Sequence, residues 1–234
     1  MGKLGVVIVA AGKGSRMKAA ESKQYLELAG KPILVHTLEL FERLDAVDTI
    51  VLVTGAGDIE RCSGYAAQYG IGKLAQIVTG GAERQHSVYA GIKALPEQVE
   101  WVLVHDGVRP FAAKEHILRC VETVKACGAA VLAVPVKDTI KIVDGAGIIR
   151  STPDRRSLWA MQTPQAFRRS LLEQAYEQAE RDGFVGTDDA SLVERIGAPV
   201  QVVEADYYNI KITTPEDLPW AEWIAQNVRG EDAR

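Results

Sequence analysis

The chain has 234 residues, 47% of them hydrophobic and 25% charged, the composition of a globular protein able to bury a substantial core. Its formal net charge of −4 speaks against a nucleic-acid backbone as the main partner, so a bound anion must be met by a few placed cations. No apolar run approaches the length of a membrane span. The first predicted element is GVVIVA at 5–10, a buried strand that breaks into the glycine turn GKGSRM. A helical pattern follows in ILVHTLELFERL at 33–44, then strands TIVLV at 49–53 and AQIV at 75–78. Next come the helix ERQHSVYAGIKAL (83–95), the strand WVLVHD (101–106) and the helix KEHILRCVETVKAC (114–127). AVLAVPV (130–136) is a further strand, SLLEQAYEQAERD (170–182) a helix, and VQVVEA (200–205) the last strand. Continuous apolar strands imply a sheet covered on both faces. The β–α alternation predicts one α/β domain over 1–234 with a mostly parallel sheet.

One segment departs from this rhythm. DTIKIVDGAGIIRSTPD, at 138–154, predicts two alternating strands joined by a turn around DGAG, an arm inserted at about 137–156. A lone hairpin is marginally stable in water. It is expected to pack outside its own chain, a symmetric second copy being the simplest partner; a solvated surface hairpin is the plain alternative. The three cysteines form no CxxC pair and fit a reduced cytoplasmic protein. The seven-residue spacing of Cys120 and Cys127 predicts that both pack in the core. The early run VVIVAAG is too short for a signal peptide.

In parallel sheets, ligands bind beyond the carboxyl ends of the strands. AAGKGSRM places Ala10, Ala11, Gly12 and Gly14 where a backbone can approach an anion, with Arg16 beside them and Lys23 further on. It is not a P-loop, which needs GxxxxGK followed by Ser or Thr, and Met17 stands where a dinucleotide fingerprint has its third glycine. HDGVRPF brings Arg109 and Asp106, the latter able to hold a metal or a sugar hydroxyl or simply to cap a turn. TGGAERQHSV opens a helix bearing Arg84 and Ser87, whose N-terminus could face a phosphate or a base edge. Three such turns on one sheet make a nucleotide cleft. His36, His86, His105 and His116 are assigned structural or surface roles. Asp188–Asp189 is read as the cap of a helix beginning near Ala190.

Eight blocks then fall into register: AAGKGSRM, KQYLELAGKPIL, GGAERQHSV, HDGVRPF, PVKDTIK, LWAMQTPQAF, TDDASLVE and NIKITTPEDL. Together, from about residue 5 to 225, they resemble the 2-C-methyl-D-erythritol 4-phosphate cytidylyltransferases of the non-mevalonate isoprenoid pathway. The resemblance implies a Rossmann-like nucleotidyltransferase fold with helices on both faces and a projecting hairpin arm. It implies transfer of CMP from CTP to methylerythritol phosphate with release of pyrophosphate, in a cytoplasmic homodimer whose arm completes the site of the other copy. By resemblance, Arg16 and Lys23 stabilise the transition state. Arg155 and Lys211, with Thr139, Thr187 and Arg109, position the substrate phosphate. Ala10, Ala11, Gly12, Gly14, Gly81 and Ser87 hold the nucleotide, with Asp106 near the ribose. Magnesium is carried mainly by the CTP phosphates, Asp106 being the candidate protein ligand. Ala82 stands where some relatives have an acidic residue beside the cytosine, and Tyr208 where other members often have Asp.

The chemistry suits these residue types. A phosphate monoester is already ionised at neutral pH, so the nucleophile needs no general base. The obstacle is repulsion between anions, which fixed cations and a divalent ion relieve. Three other readings are weaker. A ribitol 5-phosphate cytidylyltransferase shares the fold and differs where residues touch the alcohol. A non-catalytic nucleotide-binding module would bind CTP without turnover, and the presence of both Arg16 and Lys23 speaks against it. An NAD-dependent oxidoreductase is disfavoured by Met17.

Overall fold

The computed structural model describes residues 2–12 and 21–228. The chain opens with β1 (Lys3–Val9), then a short 3₁₀ turn (Lys23–Tyr25) and the small hairpin β2 (Glu27–Leu28) and β3 (Lys31–Pro32). It continues through α1 (Ile33–Glu42), β4 (Thr49–Thr54), α2 (Ile59–Gln68), β5 (Leu74–Thr79), α3 (Arg84–Ala94) and β6 (Val99–Asp106). Then come α4 (Lys114–Cys127), β7 (Ala129–Pro135), and a second hairpin, β8 (Ile142–Val143) and β9 (Ile149–Ser151). The last elements are β10 (Trp159–Arg168), α5 (Arg169–Asp182), α6 (Asp189–Arg195), β11 (Gln201–Glu204) and α7 (Asp217–Asn227).

Seven strands form one sheet in the order β11-β7-β10-β6-β1-β4-β5. All pairings are parallel except those of β10, which runs antiparallel between β6 and β7. Alternation along β1 sends Leu4, Val6 and Ile8 to one face and Val7 to the other. The first face packs under α1 (Leu34, Leu38, Phe41) and α4 (Ile117, Cys120, Val124). The second packs under α3 (Val88, Ile92), α5 (Leu172, Tyr176) and α6 (Leu192, Val193). The expected two-sided cover is therefore present. A third cluster joins Leu28 and Ile33 to Ile212, Ala221 and Ile224 of α7 and the segment before it. Helices α4 and α5 stop at Gly128 and Gly183, both in the left-handed region that glycine enters without penalty.

Four expectations are corrected. Strand β10 has no counterpart among the predicted elements, because Gln162, Pro164 and Gln165 interrupt its apolar run. The sheet tolerates Pro164 because the ladder to β7 shifts register between Met161 and Gln165. Helices α2 and α7 were also not predicted; each buries little of its own surface, so neither shows a continuous apolar face. Strand β5, expected to be buried, is the sheet edge and is half exposed. Cys120 is buried, but Cys127 ends α4 and is exposed: the helix leaves the sheet before its last turn is covered.

The hairpin at 138–154 turns where DGAG stands, with Gly147 N–H donating to the Asp144 carbonyl at 3.0 Å and Gly147 in the left-handed region. Its strands are short, and Ile142 and Ile149 are 53% and 57% exposed in the single chain. Among the described residues, its apolar side chains Ile140, Val143 and Ile148 are left 40 to 55% exposed as well.

Candidate active site

Strands β5, β4, β1 and β6 lie side by side and run in one direction, so their carboxyl ends share a rim. The ladder carries one residue beyond each end: Ala10 N–H donates to the Val53 carbonyl (2.7 Å), Gly80 to Thr54 (2.9 Å) and Gly107 to Val9 (2.9 Å). Past those bonds the chains part and leave a cleft of about 260 Å³. A Cβ on Gly80 would stand 2.4 Å from the Ala11 Cβ, so the two turns press together only because that side chain is absent. Gly12 differs, since a Cβ there would meet nothing within 4 Å. Among the described residues, no packing contact demands glycine at 12.

Of the expected site residues, Ala10, Ala11, Gly12, Lys23, Gly81, Ser87, Asp106 and Lys211 line this one cleft. Arg109 stands directly behind Asp106, 12% exposed. Gly14 and Arg16 lie outside the described residues. Thr139 is on the hairpin, and Arg155 closes its neck by donating to the Lys137 carbonyl at 2.7 Å. Thr187 is exposed in the loop before α6. In the single chain, none of these last three is among the described residues lining the cleft.

The floor is an ionic network centred on Asp106, which is 6% exposed. Lys211 Nζ lies 2.9 Å from Oδ2, Arg109 Nε 3.4 Å from Oδ2 and Arg84 Nε 3.4 Å from Oδ1. Arg84 Nη1 also reaches Asp189 Oδ2 at 3.0 Å, and Tyr176 donates its hydroxyl proton to the other Asp189 oxygen. Three cations thus face two carboxylates, and the floor stays net positive in a chain of net −4. Burial pushes the Asp106 carboxyl up, but Arg84, Lys211 and Arg109 outweigh it and hold the group well below the usual carboxylate range. Burial opposes the charge of Arg84 as well, and Asp189 and Asp106 more than compensate.

Beneath this network His105 is fully buried, and desolvation lowers its pKa to about 4. Its Nε2 lies 2.9 Å from the Arg109 carbonyl, which can only accept, so Nε2 carries the proton. Nδ1 then accepts from the Thr163 hydroxyl at 3.1 Å, and that oxygen accepts from the Asp106 N–H at 3.0 Å. His36, on α1, pairs with the Leu28 carbonyl, and His86 accepts from the Glu83 N–H in the capping box of α3. These three histidines have the structural roles expected of them. Asp188 caps α6 as expected, accepting from the Ser191 N–H at 3.0 Å.

Two residues escaped the sequence reading. Gln24 donates from Nε2 to the Ala10 carbonyl at 2.8 Å and fixes the turn that carries Lys23. Asp189, whose local pattern is that of a helix cap, pairs with Arg84 across 105 residues of sequence. Neither has a local signal, because each acts on a partner brought by another element.

Among the described residues no group of three or more His, Cys, Asp and Glu converges to hold a metal ion. The cleft carboxylates are Asp106, ringed by three cations, and Glu83, whose side chain caps α3. This donor set does not fit a protein cage for a bare divalent ion; it fits anionic oxygens. A larger hollow of about 610 Å³ opens at the opposite rim, near Val99 and Arg168, but it gathers Glu97, Glu100 and Glu173 and none of the glycine turns.

The sequence model of the 2-C-methyl-D-erythritol 4-phosphate cytidylyltransferase family matches residues 4–227. The cytidylyltransferase of that name from Bacillus velezensis is 53% identical over 226 residues, covering 96% of this chain and 97% of its own. That of Geobacillus kaustophilus is 52% identical over 218 residues, covering 93% and 95%. Among solved structures, the 4-diphosphocytidyl-2C-methyl-D-erythritol synthase of Anaerococcus prevotii superposes with a TM-score of 0.86 at 36% identity, covering 97% of each chain. The Thermus thermophilus cytidylyltransferase gives 0.79 at 32%, covering 96% of this chain and 99% of that one. An α/β sheet with glycine turns and fixed cations at one rim, matched end to end in sequence and fold, places the chain in the 2-C-methyl-D-erythritol 4-phosphate cytidylyltransferase family.

Proposed function

We propose that this cleft transfers CMP from CTP to 2-C-methyl-D-erythritol 4-phosphate, and that the convergence of Arg84, Arg109 and Lys211 on Asp106 is what carries the reading. An oxygen of the sugar phosphate forms a bond to the α-phosphorus of CTP. The bond from that phosphorus to its bridging oxygen breaks, and pyrophosphate leaves with the electron pair. No proton need be removed from the nucleophile. The residues supply position and charge instead. The turns at Ala10–Gly12 and Gly81, with Ser87, receive the nucleotide. Lys23 offers a mobile point charge to the α-phosphate oxygens, and Arg16 is assigned the same task. Arg109 and Lys211 hold the sugar phosphate, and Asp106 keeps both from collapsing onto the nucleotide side. Magnesium carried by the nucleotide phosphates would lower their charge, since Asp106 is already ringed by Arg84, Arg109 and Lys211.

The hairpin at about 137–156 serves the second copy in a homodimer, and Thr139 and Arg155 reach the substrate phosphate of the other site, with Thr187 beside it. Exposed Ile142 and Ile149 support this reading, since an apolar arm in water gains from being covered. Three cysteines with no disulfide among them support a reducing compartment, the cytoplasm.

The test is release of pyrophosphate from CTP with the purified chain, with methylerythritol phosphate or ribitol 5-phosphate as acceptor, with and without magnesium. Turnover with methylerythritol phosphate is expected; turnover with ribitol 5-phosphate alone overturns the assignment. For the arm, tagged Lys23→Ala and Arg155→Ala subunits are exchanged. A mixed dimer then has one doubly defective site and one intact site. Half the dimers are mixed at equal ratio, so activity is expected to return to about a quarter of wild type. No recovery in tagged mixed dimers removes Arg155 from the second copy's site.

A further inference from the structure

Lys23 sits in a segment pinned at three points, of which only Gln24–Ala10 belongs to the cleft lining. Gln24 is tied to the Ala10 carbonyl, and the Tyr25 hydroxyl lies 2.9 Å from Thr54 Oγ1 at the end of β4. Both of these pins are buried and follow Lys23 in the chain. Before it stands Glu21, which takes a two-pronged ion pair from Arg61 on α2: Nη1 to Oε1 at 3.0 Å and Nη2 to Oε2 at 2.8 Å. The same guanidinium lies with its carbon 4.1 Å from the centroid of the Tyr25 ring, and its Nε donates to the Tyr65 hydroxyl at 2.9 Å. Arg61 therefore joins the first pin to the third, with Lys23 between them.

Among the described residues, the turn itself adds only backbone bonds. It is a three-residue 3₁₀ segment, closed by Tyr25 N–H to the Ser22 carbonyl at 2.9 Å and Leu26 N–H to the Lys23 carbonyl at 3.3 Å. Such turns are weak alone, and Ser22 makes no side-chain cap. A lysine stem is long and flexible, so the place its ammonium occupies depends on a fixed backbone. The hydrogen bonds from Arg61 also hold the Glu21 carboxyl below its usual range.

We propose that Arg61 is a positioning residue for Lys23: the Arg61–Glu21 fork, braced on Tyr25, holds the turn that presents Lys23 to the cleft. The plainer account makes it a surface ion pair that steadies α2. Arg61 and Glu21 are 36% and 44% exposed, and a pair at such exposure adds little to stability and nothing to turnover.

The inference rests on the catalytic reading of Lys23, so the experiment carries both. Turnover number, the Michaelis constant for CTP and thermal midpoint are measured for Arg61→Ala, Arg61→Lys, Glu21→Gln, Lys23→Ala and the Arg61→Ala/Lys23→Ala double variant. Arg61→Ala is expected to lower kcat about tenfold with little change in the CTP constant, less than the roughly hundredfold cost of a misplacement of about 1 Å. Arg61→Lys restores only part of the loss, since an ammonium reproduces neither the fork nor the stacking. With Lys23 already removed, Arg61→Ala costs nothing further in kcat, because the two act as one unit. An equal fold loss in both backgrounds, or a lower midpoint with unchanged kcat, overturns the clamp. A large loss in Lys23→Ala with none in Arg61→Ala overturns the clamp alone and leaves the catalytic reading intact. Wild-type kcat in Lys23→Ala overturns that reading, and the clamp with it.

Discussion

In the cleft floor, Asp106 is 6% exposed and touched by three cations, each of which has another anchor or a wall of the cleft behind it. In the hairpin, Asp144 pairs with Arg150 at the surface, and Val143 and Ile148 are 49% and 55% exposed beside it. Both regions follow strands of the same sheet, yet their interactions differ in worth. A charge pair excluded from water loses a great deal when one partner is removed, whereas a surface pair loses little. The floor is thus a place where single substitutions change stability and chemistry together. The hairpin is a place where they should leave the single chain nearly untouched.

The largest expected effect is on chemistry at the floor's rim. Lys23→Ala should lower kcat by about 10²–10³ while CTP affinity stays close to wild type, because its charge matters most as the α-phosphate is attacked. Single-turnover kinetics at saturating CTP check this, and a change confined to the Michaelis constant reassigns Lys23 to ground-state binding. Next, Asp106→Asn should destabilise the fold by about 3 kcal/mol, since it strands cations at a site shielded from water. Urea unfolding measures it, and a change no larger than that of a surface variant removes the contrast between the two regions.

Acid should expose the same contrast through His105 and Asp106. The ordinary pKa of His105 is 6.5 and its folded value about 4, so between them the unfolded chain binds more protons. Stability is therefore full above pH 6.5 and falls as the pH drops towards 4, by at most about 1.4 kcal/mol per unit from this one group. Asp106, whose folded pKa is depressed, adds stability that is present above its unfolded value and is lost as the pH falls further. Urea midpoints across pH 7 to 3 should show the His105 stage in full and only the onset of the Asp106 stage, below its ordinary value of 3.8, and His105→Gln should flatten only the first. The smallest effect is expected at Ile142→Asp: stability of the single chain within about 0.5 kcal/mol of wild type, as for an exposed site. Sedimentation should nevertheless show weakened self-association. An unchanged assembly state removes Ile142 from the interface.

Much of this molecule is written locally. Six of the seven sheet strands are legible because each is a short run rich in apolar and β-branched residues, the edge strand β5 included although it is half exposed, and four helices because their apolar residues recur at the helical period. The glycine turns are legible too, since Gly12 and Gly81 follow strands directly and must lie at the same rim once the sheet is parallel. Strand β10 was not, because its register shift and its polar Gln162 and Gln165 make sense only between β6 and β7. Nor was the exposure of Cys127, which depends on where α4 outruns its neighbours rather than on its spacing from Cys120. The residue types and strand-end turns of the site were determined by sequence alone, for their physics is that of neighbours along the chain. The ring around Asp106, the pairing of Arg84 with Asp189 and the Arg61 clamp on Glu21 were decided only by tertiary structure. Apart from Arg109, three residues from Asp106, these pairs join charges 22 to 105 residues apart, and no periodicity records a contact between elements that meet only when the sheet is assembled.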